Sequence, residues 1–426
     1  MAPILTLEEA RRVVEKQAST VRAKGAENVA LLAGQGRVLA EPIFADRDLP
    51  PFSRATRDGY ALRAADVAQI PAQLELIGEL KAGDSPDPRR HSITRGQAVS
   101  IMTGAALPPG ADATVMVEHT TLSGMLVEVR RSVAAGENLV PRGAEARAGQ
   151  LLLDCGARLD HAAIALAASV GKSHLQVYRR PRIALLATGD EVVDVDASPG
   201  PAQIRNSNTY SLAAQVKDAG AEPVLLPIAP DEPDRLRALI AEGLDCDLLL
   251  LSGGVSAGKY DLVENVLNGL NANFHFTGAH IQPGKPIVFG SCEAPGASAP
   301  SAGSGQAFAR ESTPRKYFFG LPGNPVSTMV TFELFVRPLL EALSGMKPRP
   351  LIFVNARLKS EIRTKTGLKR FLPAVLMGEF EHAQVELVRW YGSGDIAALA
   401  HANCYLVIPP DCETISAGEW VSLLLR

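Results

Sequence analysis

The sequence predicts a multidomain α/β protein: a central, mostly apolar parallel sheet, a β-rich insertion before it, and a small β-barrel or sandwich after it. Three observations carry that prediction. At 426 residues the chain is longer than one hydrophobic core organises. Between residues 178 and 342, uniformly apolar strand runs (RIALLATGDE, AEPVLLPIAP, DLLLLSGG) alternate with helical segments, the pattern of a parallel sheet covered on both faces. Beyond residue 348 come only short strands: LIFVNARL, FLPAVLM, QVELVRW, CYLVIPP and EWVSLLL.

Thr6 and Glu9 have capping-box spacing, and Leu7, Ala10, Val13 and Val14 follow on one helical face. Residues 1–50 and 141–177 are expected to form an N-terminal, linking domain. Residues 51–140, punctuated by Pro and Gly, read as the β-rich insertion. Within it DATVMVEHT and MLVEVRRSV form an alternating strand pair, with TLSG as the Gly-bearing turn between them. A helix follows in DHAAIALAASVG, with Asp160 as N-cap and Gly171 just past its end. The α/β domain is expected over 178–345, with helices from Asn208 to Gly220, from about Asp231 to Gly243, and from near Tyr260. The barrel domain is expected over 346–426. Residues 293–314 are rich in Ala, Gly, Ser and Pro without periodicity, so a disordered surface loop is expected there. No internal repeat is evident.

Composition excludes several classes. The net charge of −3 provides no field for nucleic acid, so any anionic substrate must be held by local amides and a few cations. The N-terminus carries no apolar signal core and no apolar run reaches membrane-spanning length, so a cytoplasmic protein without membrane or nucleic-acid partners is expected. The cysteines at 155, 246, 292, 404 and 412 form no C-x-x-C pair or zinc-ligand spacing, and free thiols are expected.

Two loops carry the chemistry. In DLLLLSGGVSAGKYD a buried-type strand delivers Ser252, Gly253 and Gly254 to the carboxyl end of the sheet, where α/β proteins place ligands. Glycines there let backbone amides turn toward an oxyanion, Ser256 adds a hydroxyl, and Asp261 offers a carboxylate for a metal or ribose. A glycine turn with a capping aspartate would use the same residues. YFFGLPGNPVSTMVTFELF repeats the logic: Pro322 and Gly323 turn the chain, Asn324 suits the N-cap, Pro325 the first helical position, and Ser327 the first turn. A well-capped helix alone would also account for it. Between the loops, Lys285 sits between Gly284 and Pro286, on a stiff backbone that aims its ammonium. Asp190 and Glu191 end another strand, and acidic groups beside phosphate loops imply a bridging Mg²⁺ or simply cap a turn.

The ordered set TGDE, SGGVSAGKYD, PGKP and GLPGNPVS, with SRATRDGYALR and IMTGAALPPGADATVMVE before it, resembles the molybdenum insertases of molybdenum-cofactor synthesis. These are the molybdopterin molybdenumtransferases: the bacterial MoeA proteins and the E domains of plant and animal homologues, the animal one being gephyrin. The resemblance covers nearly the whole chain. It implies a MogA-like central domain, an elongated N-terminal domain and a C-terminal barrel. It also implies a reaction in which adenylylated molybdopterin and molybdate give molybdenum cofactor and AMP, with Mg²⁺ required. A homodimer with shared active sites is implied, with the adenylyltransferase and molybdoenzyme chaperones as further partners.

Residue by residue, the resemblance makes Asp58 and Thr103 the insertion's contribution to a partner subunit's site. Glu191, Asp231 and Asp261 become the acidic residues for metal and nucleotide. Lys285, Ser327 and Ser393 become molybdate contacts, and Pro322 and Pro325 shape the anion loop. Four departures stand out. Gln282 occupies a position where the family commonly has Lys. PRGAEARAG replaces an R-G-E-D stretch, leaving Arg142 with Glu145 as stand-in. GLKRFLP degrades a G-R-x-x-F-x-R pattern, so that Lys369 or Arg370 would have to serve; Arg370 is taken as the ligand contact. The 293–314 segment is longer than the family needs. The competing readings are the related molybdopterin adenylyltransferase, which needs only the α/β domain and has a TTGG-type loop, and a non-enzymatic scaffold like gephyrin's clustering role, for which no long linker or fused domain is present.

Overall fold

The computed structural model describes residues 2–254, 262–293 and 315–426. Its centre is a six-stranded sheet in the order Glu222–Leu225, Arg182–Ala187, Leu248–Ser252, Arg315–Leu321, Val288–Glu293, Asn273–Phe276. The first four strands run parallel. Side chains alternate between two cores: Ile183, Leu185, Leu248 and Leu250 enter one, while Ala184, Leu186, Leu249 and Leu251 enter the other. The first core is covered by helices Leu7–Ala18, Asn208–Asp218 and Pro325–Thr331, the second by Pro233–Leu244 and Leu262–Asn268. Both faces are thus buried, which is why the strands lack a polar face.

The sheet is mixed where a parallel one was expected. Val288–Glu293 pairs antiparallel with Arg315–Leu321, and Asn273–Phe276 pairs antiparallel with Val288–Glu293. A parallel neighbour would need a crossover, usually helical, and the sequence between residues 293 and 315 has no helical periodicity.

The first helix begins with the capping box expected from Thr6 and Glu9. It packs on the central domain, and the short strand before it, Ile4–Leu5, pairs with Gly278–Ala279. Asp160 caps helix His161–Ser169 through the amide of Ala163, and Gly171 follows in a left-handed conformation.

The β-rich region forms a second six-stranded sheet: Ala113–Met116, Gly59–Leu62, Gln97–Ile101, Ala72–Leu80, Leu126–Val129, Thr120–Ser123. Here the expected hairpin is corrected. Ala113–Met116 lies at the edge opposite Leu126–Val129, whose hairpin partner is Thr120–Ser123, mostly the segment read as the turn. The actual turn is Gly124–Met125, with Gly124 at φ +60°, as a tight two-residue turn requires. A short 3₁₀ turn at Val117–His119 separates the two strands that the sequence runs together.

All five C-terminal strands form as expected and close into a barrel, since Lys369–Met377 pairs with both Gln384–Leu387 and Cys404–Ile408. The barrel is tied to the central domain by a two-residue parallel ladder, Ile281 opposite Lys369 and Gln282 opposite Arg370.

Two helices on the first core are joined by a nearly buried carboxylate. Glu333, in the π-helical turn Phe332–Val336, accepts from Gln215 Nε2 at 2.7 Å and from Arg337 Nη2 at 2.9 Å. Truncating it leaves the mostly buried Arg337 guanidinium without its direct ion-pair partner. Glu333→Ala is therefore expected to cost about 3–5 kcal/mol of stability, read by urea denaturation. Stability within about 0.5 kcal/mol of wild type, the range of ordinary surface substitutions, would mean that the network is dispensable.

Candidate active site

The parallel strands end on one edge, and the turns that follow them wall a cavity of about 970 Å³. Thr188 and Glu191, Ser252 to Gly254, and Pro322 to Ser327 form its floor. Gln282 to Pro286 form a side, and Leu368, Trp390, Gly392 to Gly394 and Ile396 reach over from the barrel. The barrel is seated directly on the second loop, because the amide of Val326 donates to the Ser393 carbonyl at 3.0 Å.

The local backbone explains the residue types. Gly253 has φ +93°, and a Cβ there would lie 2.8 Å from the Thr188 carbonyl oxygen. Gly284 has φ +106°, and a Cβ would come within 2.5 Å of Thr331 Cγ2, so the loop carrying Lys285 lies tight against helix Pro325–Thr331. The Lys285 carbonyl accepts from Ala279 and Ile287, each at 3.0 Å, which holds the loop while its exposed ammonium pairs with no described residue. Asn324 is the N-cap and Pro325 the first helical residue, as expected, and Ser327 is buried in the first turn.

The acidic groups lie along one wall. Glu191 lines the cavity, and its carboxylate folds back over Gly189. The Asp231 amide donates to Asp190 Oδ1 at 3.0 Å. Partial burial, then the neighbouring charges of Asp190 and Glu191, hold the Asp231 carboxyl above the usual carboxylate range. Among the described residues no three His, Cys, Asp or Glu side chains converge at metal-binding distance. The donors here are all oxygens and repel one another, which fits a hard cation that keeps most of its ligands as water and phosphate.

Of the residues expected in the site, Glu191, Ser252, Gly253, Gly254, Lys285, Pro322, Gly323, Pro325, Ser327 and Ser393 line this one cavity. Asp231 does not line it but neighbours Asp190 and the lining Glu191. Ser256 and Asp261 lie outside the described residues. Asp58 and Thr103 meet each other on the β-rich sheet: Asp58 Oδ1 accepts from the Thr103 amide at 2.7 Å and hydroxyl at 2.8 Å. Those bonds, the amide first, hold the Asp58 carboxyl below its ordinary range, but neither residue lines the cavity of its own chain.

Three more of the expected ligand contacts do not line the cavity of their own chain. Arg142 pairs with Asp48 at 2.7 Å and Glu145 with Arg54 at 3.0 Å, so both are engaged away from the cavity. Arg370 is buried, and its guanidinium donates to the Lys365 and Leu368 carbonyls. Its guanidinium is thus spent on backbone carbonyls and does not line the cavity, and Lys369 pairs instead with Glu8.

Sequence reading missed Thr188, Asn206, Asn208 and Trp390, which also line the cavity. The cluster RNSN just before a helix at the carboxyl edge was the available signal for the asparagines. The five cysteines are free, as expected, and none lines the cavity. Burial pushes Cys292 and Cys404 up to about 11, which rules them out as nucleophiles near neutrality.

A parallel sheet whose carboxyl edge presents amides, hydroxyls and the Lys285 ammonium, unpaired among the described residues, under a barrel roof defines an enzyme-type cleft for an oxyanionic ligand. Comparison with known proteins narrows this. Models of the MoeA N-terminal region (domain I and II), a probable molybdopterin binding domain and the MoeA C-terminal region (domain IV) match residues 5–171, 184–342 and 355–425. A molybdopterin molybdenumtransferase of Nostoc sp. is 35% identical, covering 93% of this chain and 88% of its own. That of Bacillus subtilis is 32% identical, covering 99% and 94%. A solved molybdopterin biosynthesis MoeA protein of Pyrococcus horikoshii superposes with a TM-score of 0.75 at 27% identity, covering 99% of this chain and 100% of that one. The chain belongs to the MoeA family of molybdopterin molybdenumtransferases.

The raised Asp231 carboxyl has a sign that can be tested. A carboxyl held above its unfolded value favours the folded state when protonated, and that contribution is lost as pH rises through its folded value. Near neutrality Asp231 is therefore a small liability in the absence of a cation. With chelator at pH 7, Asp231→Asn is expected to raise Tm slightly, by about 1 °C. The same variant is expected to lose any gain in Tm that MgCl₂ gives wild type. A lowered Tm with chelator, or a full Mg²⁺ response in the variant, would contradict the charge-crowding account.

Proposed function

We propose that this chain is a molybdenum insertase, joining molybdate to adenylylated molybdopterin with release of AMP, the last step of molybdenum-cofactor synthesis. Family membership makes it a transferase of that pathway. The observation that carries the reading is the single cleft in which the SGG and LPGNP loops face each other beneath the barrel. Its volume of about 970 Å³ lies at the upper end of small-ligand sites, as a pterin joined to a nucleotide requires.

The roles follow from chemistry. The amide of Gly254, the hydroxyls of Ser252, Ser327 and Ser393, and the ammonium of Lys285 hold tetrahedral oxyanions, while the Gly253 amide is taken by the Leu321 carbonyl. Two groups need holding: the phosphoryl of the adenylyl moiety and molybdate, which is a substrate. Loops kept rigid by Pro322, Gly323 and Pro325 keep these donors in place, so catalysis is mainly positioning and electrostatic stabilisation. No protein nucleophile is required. Glu191 and Asp231, with Asp261, would hold Mg²⁺, which when bound supplies charge neutralisation at the cleaved phosphate.

Asp58 and Thr103 are exposed on the β-rich sheet, away from their own cleft. They are read as completing the cleft of a second copy in a homodimer. The division into domains at residues 51, 141, 178 and 346 belongs to the same proposal, as do a cytoplasmic location and transfer of substrate and product through the adenylyltransferase and molybdoenzyme chaperones. Among the described residues no helix is long and apolar enough to cross a membrane. The adenylyltransferase alternative is not favoured, since relatives named molybdenumtransferases match across all three regions of the chain.

The test is single-turnover AMP release from adenylylated molybdopterin on adding molybdate, with Mg²⁺ present. Wild type is expected to release AMP, and Lys285→Ala to do so about 100-fold more slowly. Mixed Asp58→Ala and Lys285→Ala subunits, each impaired alone, are expected to recover activity through one intact shared site. Absence of molybdate-dependent release by wild type would overturn the functional reading. Failure of mixing to restore any activity would overturn the shared site.

A further inference from the structure

We propose that Asn208 is a positioning residue that clamps the two oxyanion loops together and turns the Ser252 hydroxyl into the cleft as a hydrogen-bond donor. The inference rests on reading the cleft as an oxyanion site. Asn208 Nδ2 lies 2.8 Å from Ser252 Oγ and 2.7 Å from the Gly323 carbonyl oxygen, so one amide group spans the SGG and LPGNP loops. Its orientation is settled by chemistry. The Gly323 carbonyl can only accept, so the amide nitrogen must face it, and the same NH₂ then donates to Ser252.

Because the Ser252 oxygen accepts from Asn208, its own proton is left to point elsewhere. No described residue accepts it, although Ser252 is only 5% exposed and lines the cavity. Two further polar atoms in this wall are buried without a partner: Thr188 Oγ1, beside the SGG turn, and Asn208 Oδ1 itself. Buried polar groups are normally satisfied, so a cluster of unsatisfied ones in a cavity wall marks where an occupant completes the bonding. For a hydroxyl held as a donor beside glycine amides and a free ammonium, the matching occupant is a tetrahedral oxyanion. Molybdate and the phosphoryl of the nucleotide share that chemistry.

Asn208 acts through Ser252, which makes its role separable from plain support of the fold. Asn208→Ala, Ser252→Ala and the double variant would be titrated calorimetrically with molybdate alone and with AMP alone, and their Tm measured. Each single variant is expected to bind one of the two anions about 10- to 100-fold more weakly, the range for losing one hydrogen bond to a charged group. The anion affected identifies which oxyanion the hydroxyl faces. The double variant is expected to be no weaker than Ser252→Ala, because both changes remove the same contact.

Unchanged affinity for both anions in Asn208→Ala, or additive losses in the double variant, would overturn the proposal, and a lowered Tm alone would leave Asn208 as structural support only. Should Asn208→Ala not fold, Asn208→Asp keeps the size but cannot donate to Gly323, and the same loss of affinity is expected. No binding of either anion by wild type overturns the proposal together with the reading beneath it. Normal molybdate-dependent AMP release by wild type, with anion affinity unaffected in the variants, overturns the role of Asn208 alone.

Discussion

Parallel strands must all end on the same edge, and the rest of this molecule is arranged around that constraint. Three of the four parallel strands bring Thr188, Ser252 and Leu321 to one rim, with Ala187 paired to Ser252 and Ser252 to Leu321. Turns that are distant in sequence therefore become neighbours, and their backbone amides can share a ligand. Val288–Glu293 runs antiparallel away from that rim, so the Gln282–Pro286 loop just before it joins the same cleft. The barrel then closes the cleft through two anchors, the Ile281–Gln282 ladder and the Val326–Ser393 bond.

The second constraint is electrostatic. A chain with a net charge of −3 cannot concentrate anions through its overall field, so it does so with oriented dipoles and local cations such as Lys285. Glycine is needed where the amides must turn: at Gly253 a side chain would run into the Thr188 carbonyl. Of the cations expected in the site, Arg370 is committed to backbone carbonyls and Arg142 to Asp48, while Lys285 pairs with no described residue; Arg205 also lines the cavity, its Nε donating to the Ala197 carbonyl. The acidic wall behind the cleft carries the opposite problem, visible in the raised Asp231 carboxyl, and a hard cation would resolve it.

Much of this was legible in the sequence because it is local. Capping residues such as Thr6, Asp160 and Pro325, the apolar strands, and the glycine turns depend on neighbours a few positions away. What escaped depends on contacts made across the chain. Asn208 reaches Ser252 and Gly323 from 44 and 115 residues away, and nothing in RNSN announces those partners. Thr120–Ser123 is polar and short enough to pass for a turn, and only its place at the sheet edge makes it a strand. Arg370 reads as a ligand contact from its motif, but its guanidinium is spent on the Lys365 and Leu368 carbonyls, partners that the motif does not announce. Ten of the expected site residues nevertheless line one cavity, most of them in or just after a turn that follows a recognisable strand.

The central claim is that one cleft holds the oxyanions, and diffraction can address it most directly. Crystals soaked in molybdate and measured at the molybdenum absorption edge should show an anomalous peak between the SGG and LPGNP loops, within hydrogen-bond reach of Lys285 or Ser327. A peak confined to another surface, with this cleft empty at saturating molybdate, would contradict the account.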